Sequence, residues 1–155
     1  MTRPLPAPHP EVRYEPSPDH PGWHVWELPA NGRFHQAICP LIVRAEGERR
    51  GRCRMWVEES HLNLGGAMHG GAILGFVDMA LYVAGFAAGA DTAHAVTLDC
   101  HVQFVSPARA GAPLDAELEL IRETGRLIFL RGLAEQEDRI VASFTATLRK
   151  GRPQQ

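Results

Sequence analysis

Asn63-Leu64-Gly65-Gly66-Ala67-Met68-His69-Gly70-Gly71 runs directly into Ala72-Ile73-Leu74-Gly75-Phe76-Val77-Asp78-Met79-Ala80-Leu81-Tyr82-Val83, and the apolar run continues to Ala90. Asp78 is the one charged residue within it. A glycine-rich turn followed by this length of apolar sequence predicts a helix from about Gly70 to Ala88. A helix apolar all round belongs in a protein core or a bilayer. The mid-segment Asp78, the glycines at 75, 85 and 89 and the lack of flanking lysines or arginines point to the core.

Strands flank this helix on both sides. Leu41–Glu46 and Arg52–Val57 read as a hairpin turning near Gly47. After the helix, Ala95–Val105 alternates, with Val96, Leu98, Cys100, Val102 and Phe104 on one face and Thr97, Asp99, His101 and Gln103 on the other. Ser106–Gly111 breaks the pattern, and strands follow over 114–120, 127–133 and 139–148, the first two joined at Thr124-Gly125. The expectation is an α+β chain: a strand pair, one long helix, then four strands in a meander. One sheet layer cannot cover such a helix on every side, so a partner subunit is expected.

The chain's 155 residues suit a single domain. Seven of the twelve prolines fall before residue 22, so residues 1–22 are expected to be an extended, loosely held arm; residues 23–150 form the domain and 151–155 a tail. A net charge of −2 gives no general attraction to nucleic acid or anionic membrane. Three cysteines without a CxxC pair indicate neither a disulfide framework nor a zinc knuckle. Cys53 and Cys100 read as small core residues. No signal peptide is evident, and a cytoplasmic location is expected.

Two features carry chemistry. A helix starting near Gly70 presents unbonded N–H groups and the positive end of its dipole, and glycine lets a ligand oxygen approach them closely. Such a turn can hold an oxyanion, or it can be a plain cap. A nucleotide-binding loop is excluded, because Gly71-Ala72 stands where Lys-Ser/Thr is required. Asp78, among Ile73, Leu74, Val77, Leu81 and Tyr82, is expected to be partly desolvated with a raised pKa, as suits a general base or nucleophile. A buried carboxylate paired with an arginine, or capping another element, fits the same residue. Eight helical residues span about 12 Å. Asp78 therefore cannot act on a carbonyl held at Gly70 of its own helix. If both are catalytic, two chains meet with antiparallel helices and share two composite sites.

Asn63, His69-Gly70-Gly71 and Asp78, followed by a strand bearing Thr97 and ending in Ser106-Pro107-Ala108, resemble the hot-dog-fold acyl-CoA thioesterases, closest to the phenylacetate-pathway and 4-hydroxybenzoyl-CoA subgroup. The resemblance covers roughly residues 40–150. It implies a helix wrapped by a curved antiparallel sheet, homodimers that can pair into tetramers, and hydrolysis of acyl-CoA. Coenzyme A then enters as part of the substrate and no separate cofactor is implied. The resemblance also implies roles: the Gly70 N–H polarises the thioester carbonyl, Asn63 and His69 shape that site, Asp78 of the facing chain activates water or attacks, and Thr97 helps place the water.

Substrate-contact candidates are Gly71, Met68, Tyr82 and Arg109, with the arginines of 49–54 and the basic tail Arg149, Lys150 and Arg152 as further candidates for the coenzyme A phosphates. His61, His94 and His101 lack metal-ligand spacing, so no metal is expected. Two other functions compete with hydrolysis. A hot-dog hydratase or dehydratase would need a different acid–base pair. A non-catalytic acyl-CoA sensor would need an output module that the proline-rich arm does not supply.

Overall fold

The computed structural model describes residues 4–152. Residues 1–3 of the arm and 153–155 of the tail lie outside this range. One helix, α1 (Gly70–Ala87), packs against a single antiparallel sheet of eight strands: β1 (Arg13–Pro16), β2 (His24–Glu27), β3 (Leu41–Ala45), β4 (Arg50–Trp56), β5 (Val96–Phe104), β6 (Pro113–Glu123), β7 (Leu127–Gln136) and β8 (Arg139–Arg149). This is the helix-in-sheet architecture expected above. The helix is long and apolar enough to cross a bilayer, yet most of it is buried here as the core element, with Phe76, Val77, Ala80, Leu81, Val83 and Ala84 fully enclosed.

Alternation explains the layers. Along β4, Gly51, Cys53 and Met55 face the helix opposite Leu118, Ala116 and Leu114 of β6. The other face sets Arg52 and Arg54 against Glu117 and Asp115. Gly51 fixes the distance between layers: a Cβ there would lie 2.0 Å from the Ala84 carbonyl oxygen, so helix and strand approach to backbone contact.

Three expectations are corrected. The four later strands do not form a simple meander: the order is β4-β6-β7-β8-β5, so β5 pairs with β8 at the edge and β6 returns to β4. Local pattern defines strands but not neighbours, and the helix carries the chain across the sheet before β5 begins. The proline-rich arm is not free through residue 22, because β1 pairs with β2 in the register Arg13↔Glu27 to Pro16↔His24, and Tyr14 packs on Trp26 and Phe86. Cys100 is exposed rather than buried, since it sits on the edge strand; Cys53 is in the core as expected.

Candidate active site

The helix start is built from backbone outward. Asn63 Oδ1 accepts the N–H groups of Gly65 (2.9 Å) and Ala67 (3.2 Å), closing a tight turn that the Leu62–Met68 bridge completes. Met68 N–H donates to Ala108 O and His69 N–H to His61 O, both at 2.8 Å, so the turn is tied to two neighbouring loops. His69 is the N-cap of α1, and its Nδ1 accepts the Gly71 N–H at 2.8 Å. That bond leaves Nε2 as the donor nitrogen of the neutral ring. The N–H groups of Ala72 and Ile73 both donate to His69 O. Gly70 N–H is left, and among the described residues it donates to nothing.

The two glycines therefore differ in purpose. At Gly71 a Cβ would sit 3.1 Å from His69 Nδ1, so glycine makes room for the cap. At Gly70 a Cβ would meet only Phe104, at an ordinary 3.5 Å. Packing does not require glycine there; what its missing side chain leaves open is approach to an unbonded N–H at the positive end of the helix.

Asp78 is not where burial was expected to put it. Gly71, Leu74 and Asp78 form an exposed stripe along α1, so within one chain the carboxylate is open to solvent. No arginine pairs with it among the described residues. Its Oδ1 instead accepts a hydrogen bond from the Thr97 hydroxyl at 2.8 Å, and the Tyr82 hydroxyl lies 2.8 Å from the same Thr97 oxygen. Thr97 has one proton and gives it to the carboxylate, so Tyr82 must donate to Thr97. The chain Tyr82 to Thr97 to Asp78 Oδ1 leaves Oδ2 open. Burial, ahead of the other influences on it, raises the Tyr82 pKa and keeps that phenol protonated as the donor.

Thr97 reaches Asp78 because of a β-bulge. The β5–β8 register shifts between Thr97 and Asp99: Thr97 faces Leu148, while Asp99 faces Thr147 and Cys100 faces Ala146. The extra residue breaks strict alternation and puts Thr97 on the helix side with Cys100 and Val102. The sequence pattern had placed Thr97 on the opposite face from these two.

The remaining candidates are distributed as follows. Met68 is buried in the core and Tyr82 half-buried beside Met79. Arg109 is exposed on the loop whose Ala108 carbonyl holds Met68, and among the described residues its guanidinium has no partner. The basic hairpin is neutralised: Arg50 pairs with Glu117, Arg52 with Glu46, Asp115 and Glu117, and Arg54 with Asp115, while Arg49 donates to the carbonyls of Leu120 and Ile121. His61 is a satisfied, buried histidine, bonded to Glu58 N–H and the Ala37 carbonyl.

Gln136 was not foreseen. It is 2% exposed, and its amide grips Arg109 N–H and C=O (both 2.8 Å) and the Ala112 carbonyl (3.1 Å), fixing the loop that anchors Met68. In sequence it precedes Glu137-Asp138 and looks like part of a polar turn. The thiols are poor nucleophiles here: burial raises the pKa of Cys53 and, ahead of the charges of Asp78 and Asp99, that of Cys100.

The sheet edge beside the site is unpaired, and besides Asp99, His101 and Gln103 it exposes apolar side chains. Leu98 (54% exposed) and Phe104 (53%) stand out on β5, with Val96 and Val105 also exposed, as is Leu74 of α1.

Residues 65–143 match the sequence family described as the thioesterase superfamily. No curated protein matches. Among solved structures, a variant of the phenylacetic acid degradation protein PaaI from Thermus thermophilus is 28% identical, with a TM-score of 0.63 over 76% of this chain and 98% of that one. The PaaI protein of the E. coli phenylacetic acid degradation operon shares the fold at 21% identity, with a TM-score of 0.65 over 76% and 83% of the two chains. A hypothetical thioesterase from Streptococcus pneumoniae, solved with coenzyme A, shares it at 20% identity and a TM-score of 0.60, over 71% and 90%.

Proposed function

Because this chain belongs to the thioesterase superfamily, we propose that it hydrolyses an acyl-CoA thioester to a carboxylic acid and free coenzyme A, at a site completed by a second copy of itself. The observation that carries this reading is a site in two halves. One half is the unbonded Gly70 N–H; the other is the Asp78 carboxylate, held at Oδ1 and open at Oδ2, on the same exposed side of α1. The halves lie about 12 Å apart along the helix, too far for one carbonyl. Leu74 is midway between them and exposed. A twofold axis passing beside Leu74, with the two helices antiparallel, sets Asp78 of each chain opposite Gly70 of the other. The same association covers the unpaired edge at β5, which a lone chain would leave as a template for aggregation.

The reaction then follows from the groups present. The thioester oxygen accepts the Gly70 N–H, and negative charge developing on it is stabilised by that donor and the helix dipole. Asp78 Oδ2 takes a proton from water as the water attacks the carbonyl carbon, and collapse of the tetrahedral intermediate expels the coenzyme A thiolate. Thr97 and Tyr82 hold the carboxylate in place. Direct attack by Asp78 would instead form an anhydride; where water then opens it at the aspartyl carbonyl, a single turnover in heavy-oxygen water leaves label on Asp78, which general-base catalysis never does. Arg109, exposed and unpaired on the loop beside the turn, is a guanidinium free to meet a coenzyme A phosphate, whereas those of the β4 strand are already paired.

Thiol release from a series of acyl-CoAs should be seen with the parent protein and lost with Asp78→Ala. A mixed dimer of Asp78→Ala and Gly70→Val chains contains one intact composite site, and should regain about half the parental activity per dimer. Verified mixed dimers that remain inactive would sink the shared site. Tight binding of acyl-CoA without release of thiol would favour a non-catalytic acyl-CoA-binding protein.

A further inference from the structure

We propose that the N-terminal segment Pro8–Val12 is a specificity element, closing the far end of an apolar cavity that receives the terminal carbons of the acyl group. This rests on the acyl-CoA reading above. The cavity measures about 140 Å³ and lies between that segment, β2 and α1, with Pro8, Val12, Trp26, Met79, Tyr82 and Ala93 among its walls. Tyr82 is common to cavity and site: it is one of the cavity walls, and its hydroxyl bonds Thr97, which bonds Asp78.

The cavity offers little to water. Thr92, also in its wall, donates its hydroxyl proton to the Tyr82 carbonyl at 2.9 Å. His9 uses Nδ1 to accept the Glu11 N–H. The pocket is partly open, and its volume is close to that of a cavity that holds one benzene-sized group, so it suits an apolar body of roughly six carbons. Tyr82 stands one helical turn beyond Asp78, about 6 Å along the axis. An acyl group whose carbonyl lies at Asp78 therefore needs several carbons before it enters the cavity, and short acyl groups do not reach it.

The wall is a built part of the fold. Val12 N–H bonds the His9 carbonyl at 2.9 Å, the His9 ring packs edge-on against His94 with centroids 5.1 Å apart, and β1 begins at Arg13 and is paired to β2. The segment also lies outside residues 65–143, which carry the family match, so it can set chain length without altering the catalytic groups.

The test is a kcat/KM profile over straight-chain acyl-CoAs from butanoyl to hexadecanoyl, for the parent, Ala93→Leu and Val12→Ala. The parent should peak near octanoyl and fall by roughly tenfold at hexadecanoyl, the scale of one or two misplaced methylenes in an apolar pocket. Ala93→Leu fills the cavity and should lower the ratio of octanoyl to butanoyl activity roughly tenfold. Val12→Ala opens the wall and should move the peak to longer chains. Two folded variants with the parental profile would overturn the cavity assignment while leaving hydrolysis intact. A parent that releases no thiol from any member of the series overturns the hydrolytic reading and this one with it.

Discussion

Thr97→Val removes one hydroxyl and keeps nearly the same shape, so it isolates the bond to Asp78 Oδ1 at 2.8 Å. A hydrogen bond to a charged group contributes about 1.5–3 kcal/mol, which corresponds to roughly 10- to 150-fold in rate if it is needed at the transition state. Tyr82→Phe removes a bond between neutral groups, also 2.8 Å long. It should cost about 0.5–1.5 kcal/mol, or roughly 2- to 13-fold. Tyr82 reaches the carboxylate only through Thr97, so the double variant should be little slower than Thr97→Val alone. The assay is thiol release from an acyl-CoA, with kcat and KM determined separately and denaturant unfolding run in parallel. Groups that orient the carboxylate should lower kcat and leave KM nearly unchanged. Additive effects in the double variant, or losses confined to KM and stability, would refute the positioning chain.

Three further outcomes follow from the fold. His69→Ala removes the N-cap and should destabilise the protein by about 1 kcal/mol in denaturant titration; His69→Asn should restore stability, because Asn caps well, but not activity if the Nε2 donor is used. Gly51→Ala would drive a Cβ to 2.0 Å from the Ala84 carbonyl; no rotamer change relieves a clash with backbone, so a loss of about 3 kcal/mol or failure to fold is expected. Burial, and secondarily the charge of Glu27, pushes the Cys39 thiol from 9.0 up to about 11. Its neutral form is favoured in the folded state, so its contribution is complete below pH 9 and is lost as pH rises through about 11. Under reducing conditions the parent should lose stability over that window more steeply than Cys39→Ala, and equal slopes would contradict the assignment.

Much of this was legible along the chain. The apolar run after Gly71 defined the helix, the alternating segments defined most of the strands, and the eight-residue separation of Gly70 from Asp78 already meant that a site using both groups would need two chains. These follow from local periodicity and helix rise, which do not depend on what the helix packs against. Thr97 was legible as a candidate but not in its geometry, because a bulge of one residue reverses which face a side chain occupies and leaves no mark in composition. Gln136 was missed for a related reason: its partners Arg109 and Ala112 are distant in sequence, and only packing makes its amide a clamp.

The sequence by itself thus determined the core helix, the strands from Leu41 onward and the pair of groups at the start and middle of the helix, since each is dictated by short-range geometry. Tertiary structure decided the rest. It placed β5 at the edge rather than beside β6, committed the Gly71 N–H to His69 and left the Gly70 N–H unbonded. It neutralised the basic hairpin with carboxylates from β6 and bound the proline-rich arm into the wall of a cavity. Each of these depends on residues far apart in the chain meeting in space, and no local pattern encodes which ones will.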